Sequence, residues 1–341
     1  MKHLLVAGAL VASGASAALI PAAQADPPDH AEGHGAVSRA TGADTKAEQR
    51  AVRAYWTADR MRTATPRGPV VPHGKPSGTA KPTRPGGSGD PSLGSAWPTE
   101  QKTVGKVFFT LGGSNYVCSG NAVDWRGDTE ASPSVVSTAG HCVNDGGNVF
   151  ATNFMFIPAY DPTRARTAQK YGSYVATEVA TTSQWIAQGA NKWDYDVGFA
   201  RVGTGGVDTD KDGNLAEETL AKNVGSTDIA FYKTEPRTAG IDYTVNVHSF
   251  GYPAARPYDG TKLISCWGGT THDYVGGSGD YRLPCNMTGG SSGGPWILDS
   301  GSSVGTTQVS VNSFGYQGEK NAMYGPVLGP TANGVYVTAR S

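Results

Sequence analysis

Short apolar runs separated by turn residues characterise the last two-thirds of this 341-residue chain. The sequence contains 47 glycines, and Gly, Asn, Asp and Pro separate the runs, as expected where strands alternate with tight turns. Helical periodicity is scarce here, with one short candidate at residues 217–223. The pattern predicts an all-β domain, a sandwich or barrels, over residues 96–341. Its predicted strands include residues 106–111, 134–138, 153–157, 196–202, 243–250, 295–298 and 308–311.

The first 25 residues have the pattern of a secretory signal peptide. Lys2 and His3 precede a charge-free stretch at residues 4–20, and residues 23–25 (Ala-Gln-Ala) form a small-x-small cleavage site. A retained membrane anchor is the alternative, but the stretch is slightly short for a span and the cleavage motif follows it directly. We therefore predict residues 1–25 to be a signal peptide and the mature protein to be secreted and extracellular, with no membrane contact.

Residues 26–95 differ in composition from the rest of the chain. Thr45 and Glu48 have the spacing of a capping box. A stripe at helical spacing follows, made of Ala47, Ala51, Ala54, Tyr55 and Ala58. From residue 63 to 95, Pro, Gly, Ser, Thr and Lys predominate, which predicts a linker because such a segment buries too little apolar surface to fold by itself. Residues 26–95 are therefore predicted to be a partly helical pro-region and a Pro/Gly-rich linker.

Charge and cysteine content narrow the class of protein. The 28 basic and 29 acidic residues nearly cancel, so the charge gives no indication of nucleic acid or an anionic membrane as a partner. The four cysteines of an exported chain suggest two disulfides, for which three pairings are possible. The sequence has no Cys-x-x-Cys motif, which argues against a structural zinc site.

Three separate segments carry the residue types that serine-based hydrolysis requires: a hydroxyl, a base, and a carboxylate that orients the base. Residues 289–295 read Gly-Gly-Ser-Ser-Gly-Gly-Pro, where the backbone N–H groups of Gly290 and Ser292 are candidate oxyanion donors. Residues 137–142 read Ser-Thr-Ala-Gly-His-Cys, and residues 194–200 read Asp-Tyr-Asp-Val-Gly-Phe-Ala. A Gly/Ser surface loop is the alternative for the first segment, but all three in this order favour a catalytic set.

These segments resemble the chymotrypsin-like (trypsin-fold) serine peptidases. Residues 116–120 (Tyr-Val-Cys-Ser-Gly) resemble the strand whose cysteine pairs with the one after the catalytic histidine, and residues 250–253 (Phe-Gly-Tyr-Pro) resemble an element of the bacterial secreted branch that includes glutamyl endopeptidases. The resemblance spans residues 96–341. It implies two packed six-stranded antiparallel β-barrels of the trypsin-like fold, preceded by the signal peptide and the partly helical pro-region.

The resemblance also implies roles for individual residues. His141 would be the general base and acid, Asp196 would orient its imidazole, and Ser292 would be the nucleophile. Asp194 is the nearby competitor for the carboxylate role, but the apolar run follows Asp196 directly, as in the family. Ser291 replaces the aspartate that animal members use in activation, which marks a bacterial branch.

Substrate preference is less well defined by the resemblance. Asn286 corresponds to the bottom of the primary pocket, and Ser313, Phe314 and Gly315 resemble the strand that holds the substrate backbone. Asn286 is not an aspartate, and Asn312 stands where glutamyl-specific members have histidine, so neither a basic nor a Glu preference is supported. The family pattern also implies two disulfides, Cys118–Cys142 and Cys266–Cys285.

One further motif is independent of the resemblance. Asp208, Asp210 and Asp212, followed by Gly213, match the start of a calcium-binding loop, but Thr219 replaces the bidentate glutamate expected at its twelfth position. A solvated acidic turn is the alternative. We therefore predict no cofactor for catalysis, with structural calcium as the remaining possibility.

Together these features predict a secreted serine endopeptidase, made as a zymogen, that acts on proteins or peptides as a monomer. Two other functions remain open. One is a catalytically silent trypsin-fold binding module, which would normally have lost part of the triad. The other is an esterase that uses the same triad, although the sequence lacks the Gly-x-Ser-x-Gly elbow of the α/β-hydrolases.

Overall fold

A computed structural model describes residues 37–72, 94–124, 133–207, 217–300 and 304–341. The predicted signal peptide, most of the predicted linker and the calcium-like motif at residues 208–213 lie outside these ranges. No helix within them is long and apolar enough to cross a membrane.

The described ranges contain nineteen strands and five α-helices, numbered here in chain order. The strands β1 to β19 are Val37–Thr41, Thr65–Pro66, Val70–Val71, Ser95–Ala96, Val104–Leu111, Ser114–Asp124, Ser134–Thr138, Thr152–Pro158, Tyr174–Thr182, Gly198–Val202, Thr227–Ile229, Asn246–Gly251, Ile264–Gly269, Thr271–His272, Tyr281–Pro284, Pro295–Asp299, Val304–Val311, Gly315–Tyr316 and Ala322–Gly325. The helices α1 to α5 are Lys46–Tyr55, Ala58–Thr63, Ser183–Ala187, Leu220–Val224 and Pro330–Arg340. Short 3₁₀ turns lie at Gly140–Cys142, Arg166–Ala168 and Lys192–Tyr195.

Six strands close into the first barrel. Hydrogen bonding runs from β5 through β6, β7, β10, β9 and β8 and back to β5, and every pairing is antiparallel. The inward-facing side chains are almost all fully buried; Phe109, Phe156 and Tyr174 are examples from three of the strands. Closure pairs neighbouring strands all the way round the ring, and the second half of β9, beyond its pairing with β8, pairs with β1. The side chains at the rim are therefore held in fixed positions.

A second group of six strands surrounds another core. Strands β13, β12, β16 and β17 form one antiparallel series, and β15 pairs with β19. Side chains from all six strands enclose one cluster, in which Trp296 and Tyr281 are the largest fully buried members. The two-barrel architecture that the resemblance predicted is therefore confirmed.

The N-terminal segment, residues 37–72, packs against the first barrel. Strand β1 pairs antiparallel with β9, and α1 begins with the predicted capping box of Thr45 and Glu48. The four alanines of the predicted stripe are exposed, whereas its Tyr55 is half-buried. Val52 and Trp56 enter a cluster with the outer face of the barrel, and Tyr55 packs against it. The helix contributes the opposite face because these larger side chains bury more apolar area than alanines do.

The prediction of a linker from residue 63 was wrong at its start. Residues 65–71 form two short strands, β2 beside β6 and β3 beside β18, both parallel to their partners. Composition predicted that this segment lacks a core of its own, and it has none. Its order comes from backbone hydrogen bonds to the barrels instead.

The C-terminal helix α5 was not predicted from the sequence. Pro330 occupies the first helical turn, where a missing N–H costs nothing, and Val335 and Tyr336 are buried against the first barrel. The Asn-Gly pair within the helix lowers its intrinsic propensity. Tertiary packing, with the rings of Tyr336 and Phe199 5.5 Å apart, stabilises it.

Both disulfides implied by the resemblance are formed. Cys118–Cys142 joins β6 to the 3₁₀ turn after β7, and Cys266–Cys285 joins β13 to the chain just after β15. The second bond connects the two hydrogen-bonded groups of the second barrel.

We expect simultaneous replacement of Cys266 and Cys285 by serine to lower the free energy of unfolding by about 3 kcal/mol, because the cross-link restricts the unfolded chain. Urea unfolding measures the change. Lys262→Ser, at an exposed position before β13, is the control and should change stability by less than about 0.5 kcal/mol. An unchanged urea midpoint for the double variant would contradict the expectation.

Candidate active site

His141 lies in the 3₁₀ turn that directly follows strand β7 of the first barrel. The neighbouring Cys142 is bonded to Cys118 on β6, which fixes the turn against the barrel. The His141 side chain is 1% exposed, and its ring lies 6.3 Å from that of Trp185. The fold thus holds this imidazole in one position.

Asp196 is fully buried just before β10 and faces His141. Its carboxylate accepts one hydrogen bond from the His141 backbone N–H at 2.7 Å and contacts the ring Nδ1 at 2.8 Å. The Ser313 hydroxyl, from the second barrel, donates a further short hydrogen bond. Burial by itself would raise the pKa of Asp196, but the charge of His141 and these hydrogen bonds outweigh it and lower the pKa below its ordinary value.

Asp194, the competing carboxylate, has different partners. It forms an ion pair with Arg237 and accepts a hydrogen bond from the Gly279 backbone N–H at 2.9 Å. The structure therefore brings Asp196, and not Asp194, into contact with the His141 ring. Asp194 stabilises the loops behind the site.

Ser292 lies in the loop that leads into β16. Its carbonyl accepts a hydrogen bond from Ser119 N at 2.7 Å, and Gly293 follows with φ +80°. A Cβ atom on Gly293 would lie 2.0 Å from Thr138 Oγ1, so no other residue fits so close to the strand that leads to His141. This close approach explains the Ser-Gly-Gly sequence and brings Ser292 beside the His141 turn.

Two polar groups of this site, Gly290 N and His141 Nε2, differ in their hydrogen bonding. Gly290 N, one of the predicted oxyanion donors, donates to the carbonyl of Arg67 at 2.6 Å. The His141 Nε2 atom is buried and has no hydrogen-bond partner among the described residues. A buried imidazole nitrogen left open in this way is available as a base.

The cysteines that could bind a metal near the site form a disulfide instead. Within the described ranges, the one group of His, Cys, Asp or Glu side chains close enough to share an ion is Cys118, His141 and Cys142. Both sulfurs belong to the disulfide and are not thiolates, so this group does not fit a metal ion.

The predicted substrate-binding residues lie along the second barrel. Gly315 begins β18, and its N–H donates to the Pro69 carbonyl at 3.2 Å. Phe314 is buried among aromatic rings, including Tyr324 at 5.1 Å. Asn286 is half-buried, and its side-chain oxygen accepts hydrogen bonds from Gly94 N and the Tyr258 hydroxyl.

Asn312 is a structural residue of the site that the sequence did not reveal. Its amide oxygen accepts hydrogen bonds from Ser249 and Trp296, and its amide nitrogen donates to the Phe250 and Ser291 carbonyls. The side-chain hydrogen bonds of Asn312 thus join the Ser291 carbonyl of the Ser292 loop to β12 and β16. The sequence carried no signal for this role, since it depends on contacts with β12, the Ser292 loop and β16 that form only in the fold.

Ser119 has a similar supporting role. Its hydroxyl donates to the Gly290 carbonyl at 2.9 Å and accepts a hydrogen bond from Tyr252 N, while Thr138 Oγ1 donates to its carbonyl. Ser119 lies on the first barrel, and through these contacts it orients the peptide group that carries the Gly290 carbonyl. The Cys-Ser-Gly run noted in the sequence was the available signal for it.

Comparison with solved structures identifies proteins that share this arrangement. The protease Anisep from Arthrobacter nicotinovorans is 40% identical, with a TM-score of 0.56, and the match covers 71% of this chain and 97% of Anisep. The thermostable serine protease AL20 from an extremophilic microorganism is 38% identical, with the same TM-score, over 70% of this chain and 97% of AL20. The chain belongs to the chymotrypsin-like serine peptidases. No protein-family model and no curated protein matches it significantly.

The buried carboxyl of Asp280 is expected to make the free energy of unfolding depend on pH. Asp280 is fully buried, and burial, followed by the negative charge of Asp194, raises its pKa well above the ordinary value; Asp273 and Asp196 add to the repulsion, and the Ser278 hydroxyl opposes it. A carboxyl whose pKa is raised by folding contributes stability below its unfolded pKa. That contribution is lost as the pH rises through the folded pKa.

We expect Asp280→Asn to become progressively more stable than the wild type as the pH rises above about 4, because only the wild type must then bury a charge or retain a proton. Urea unfolding at a series of pH values measures the difference. Asp44→Asn, which removes an aspartate at an exposed position, is the control. A constant difference between Asp280→Asn and the wild type would contradict the expectation.

Proposed function

We propose that the protein is a secreted serine endopeptidase in which Ser292 is the nucleophile. The observation that carries the proposal is the buried contact of His141 Nδ1 with Asp196. It leaves Nε2, beside the Ser292 loop, with no hydrogen-bond partner among the residues that the structure describes. The sequence identity of 40% and 38% with two proteases, over 97% of each of them, supports peptide hydrolysis as the class of reaction.

In the proposed reaction, Ser292 Oγ attacks the carbonyl carbon of the scissile peptide bond while His141 Nε2 accepts the hydroxyl proton. The N–H groups of Gly290 and Ser292 stabilise the tetrahedral oxyanion. The C–N bond then breaks, and His141 returns the proton to the leaving amine. Water hydrolyses the resulting acyl-enzyme by the same proton transfers in the opposite direction, and Asp196 holds the imidazole throughout.

The acyl half of the substrate would lie along residues 313–315, with its side chain directed to the pocket that ends at Asn286. Two disulfides and the signal-like first 25 residues support secretion. The substrate would be a protein or peptide, and the chemistry requires no cofactor.

We expect a fluorophosphonate probe to label Ser292 of the secreted protein, and Ser292→Ala to abolish labelling and reduce peptide hydrolysis by about 10⁶-fold, because the variant has no nucleophile. Mass spectrometry locates the modified residue. Ser291→Ala is the matched control, since the Ser291 hydroxyl donates to the Thr288 carbonyl and takes no part in the reaction. Peptide hydrolysis that survives Ser292→Ala would refute the assignment, and a folded protein that has been freed of its N-terminal segment and still shows no labelling would favour the silent binding module.

Replacement of Asp196 and replacement of Asp194 should affect different properties of the protein. We expect Asp196→Asn to reduce kcat by roughly 10⁴-fold, because an amide cannot hold the imidazole in the required tautomer. Asp194→Asn should reduce stability more than kcat, because Asp194 contacts Arg237 and not His141. Steady-state kinetics and urea unfolding of both variants provide the comparison, and equal losses of kcat would contradict our choice of Asp196.

A further inference from the structure

The cleft segment, residues 65–71, occupies the backbone-binding groups of the proposed site. Arg67 N donates to the Val117 carbonyl at 3.0 Å, and Arg67 O accepts the Gly290 N–H. Further along, Pro69 O accepts the Gly315 N–H. One continuous segment thus contacts the strand before Cys118, a predicted oxyanion donor and the predicted substrate-holding strand.

Side-chain contacts add to this backbone pairing. Arg67 Nε donates to the His141 carbonyl at 2.8 Å, and its guanidinium lies 5.0 Å from the centre of the Tyr116 ring. Ser292 is only 3% exposed and His141 only 1%. Both residues are thus almost fully buried in the arrangement that includes the cleft segment.

The direction of the cleft segment is opposite to that of a productive substrate. In the proposed reaction, the residues before the scissile carbonyl form the acyl half and lie along residues 313–315. In the cleft segment, the residues before Arg67 pair with β6, and those after it pair in parallel with Gly315–Tyr316. If the Arg67–Gly68 bond were cleaved, the residues on its amine side would therefore lie where the acyl half of a substrate is expected.

The rest of the N-terminal segment provides contacts far from the cleft. Strand β1 extends the sheet along β9, and Trp56, 1% exposed, donates from Nε1 to the Asn153 carbonyl at 2.6 Å. Arg53 donates to the Thr204 carbonyl at 2.8 Å. These contacts hold the cleft segment at a high effective concentration next to the site.

We propose that residues 37–72 are an inhibitor of this peptidase that fills the cleft in the reversed direction and stays bound to the barrels after the linker is cut. The proposal rests on the proposed function, because it assumes that the cleft binds substrate. The ligand of the cleft and of the β9 edge is accordingly this chain's own N-terminal segment, which leaves the site only when it dissociates or is degraded.

Gly68 allows a direct test because a Cβ atom there would lie 2.5 Å from Gly289 Cα, a backbone atom that cannot move aside cheaply. Gly68→Leu therefore displaces the cleft segment and changes no group of the proposed catalytic site. We expect the full-length variant to react with a fluorophosphonate at Ser292 at least about 10-fold faster than the full-length wild type, because a larger fraction of its sites is open. Arg62→Ala, in the N-terminal segment but outside the cleft segment, removes a side chain that is 73% exposed and should match the wild type.

A second measurement does not depend on the folding of a variant. A recognition site for a sequence-specific cysteine protease, inserted between Gly86 and Gly87, allows the full chain to be cut in the linker. We expect the N-terminal fragment to co-elute with the barrels in size-exclusion chromatography, labelling to remain slow, and mass spectrometry to find the Arg67–Gly68 bond intact.

The outcomes separate this inference from the proposed function. Equal labelling of the wild type and Gly68→Leu at Ser292, release of the fragment on cutting, or cleavage after Arg67 that Ser292→Ala abolishes would each overturn the inference while the peptidase assignment stands. If Ser292 stays unlabelled in Gly68→Leu and in the cut chain freed of its N-terminal fragment, the proposed function fails.

Discussion

The buried carboxylate of Asp196 is the contact on which the site depends. It receives two hydrogen bonds from His141, on the first barrel, and one from Ser313, which follows β17 of the second barrel. One charged group therefore aligns both barrels. Burial alone would favour its neutral form, and the three donors reverse that preference, so the ionised carboxylate and the position of the imidazole require each other.

The Ser292 loop is also held by buried hydrogen bonds from both barrels, but here the groups are neutral. Asn312, from the second barrel, fixes the Ser291 carbonyl, and Ser119, from the first, fixes the carbonyls of Gly290 and Ser292 through its hydroxyl and N–H. Buried polar groups with every partner in place define one geometry, whereas a lost partner leaves an unsatisfied group. The precision of the site thus comes from residues that take no part in the proposed reaction.

Much of this arrangement was predictable from the sequence, and the exceptions have physical reasons. Strand periodicity predicted β7 at its observed bounds, and the resemblance predicted the contact of His141 with Asp196 and both disulfides. Helix α5 was missed because its Asn-Gly pair lowers the helix propensity of the sequence, whereas tertiary packing stabilises the helix in the fold. The structural role of Asn312 was missed because its partners, on β12 and at residues 291–296, are distant from it in the sequence. Local sequence carries propensity and motif, but not contacts between remote parts of the chain.

The cleft segment shows why composition misjudged the linker. A Pro- and Gly-rich segment cannot form a core, but order requires only that some surface supply the missing hydrogen bonds. Here that surface belongs to the barrels, and it lies at the one place where an extended backbone is expected to bind. Proline and glycine suit this position, since they limit the side-chain bulk next to Gly289 and Gly315. The Pro- and Gly-rich composition that predicted a linker is therefore the same property that lets the segment cross the cleft in close contact with the barrels.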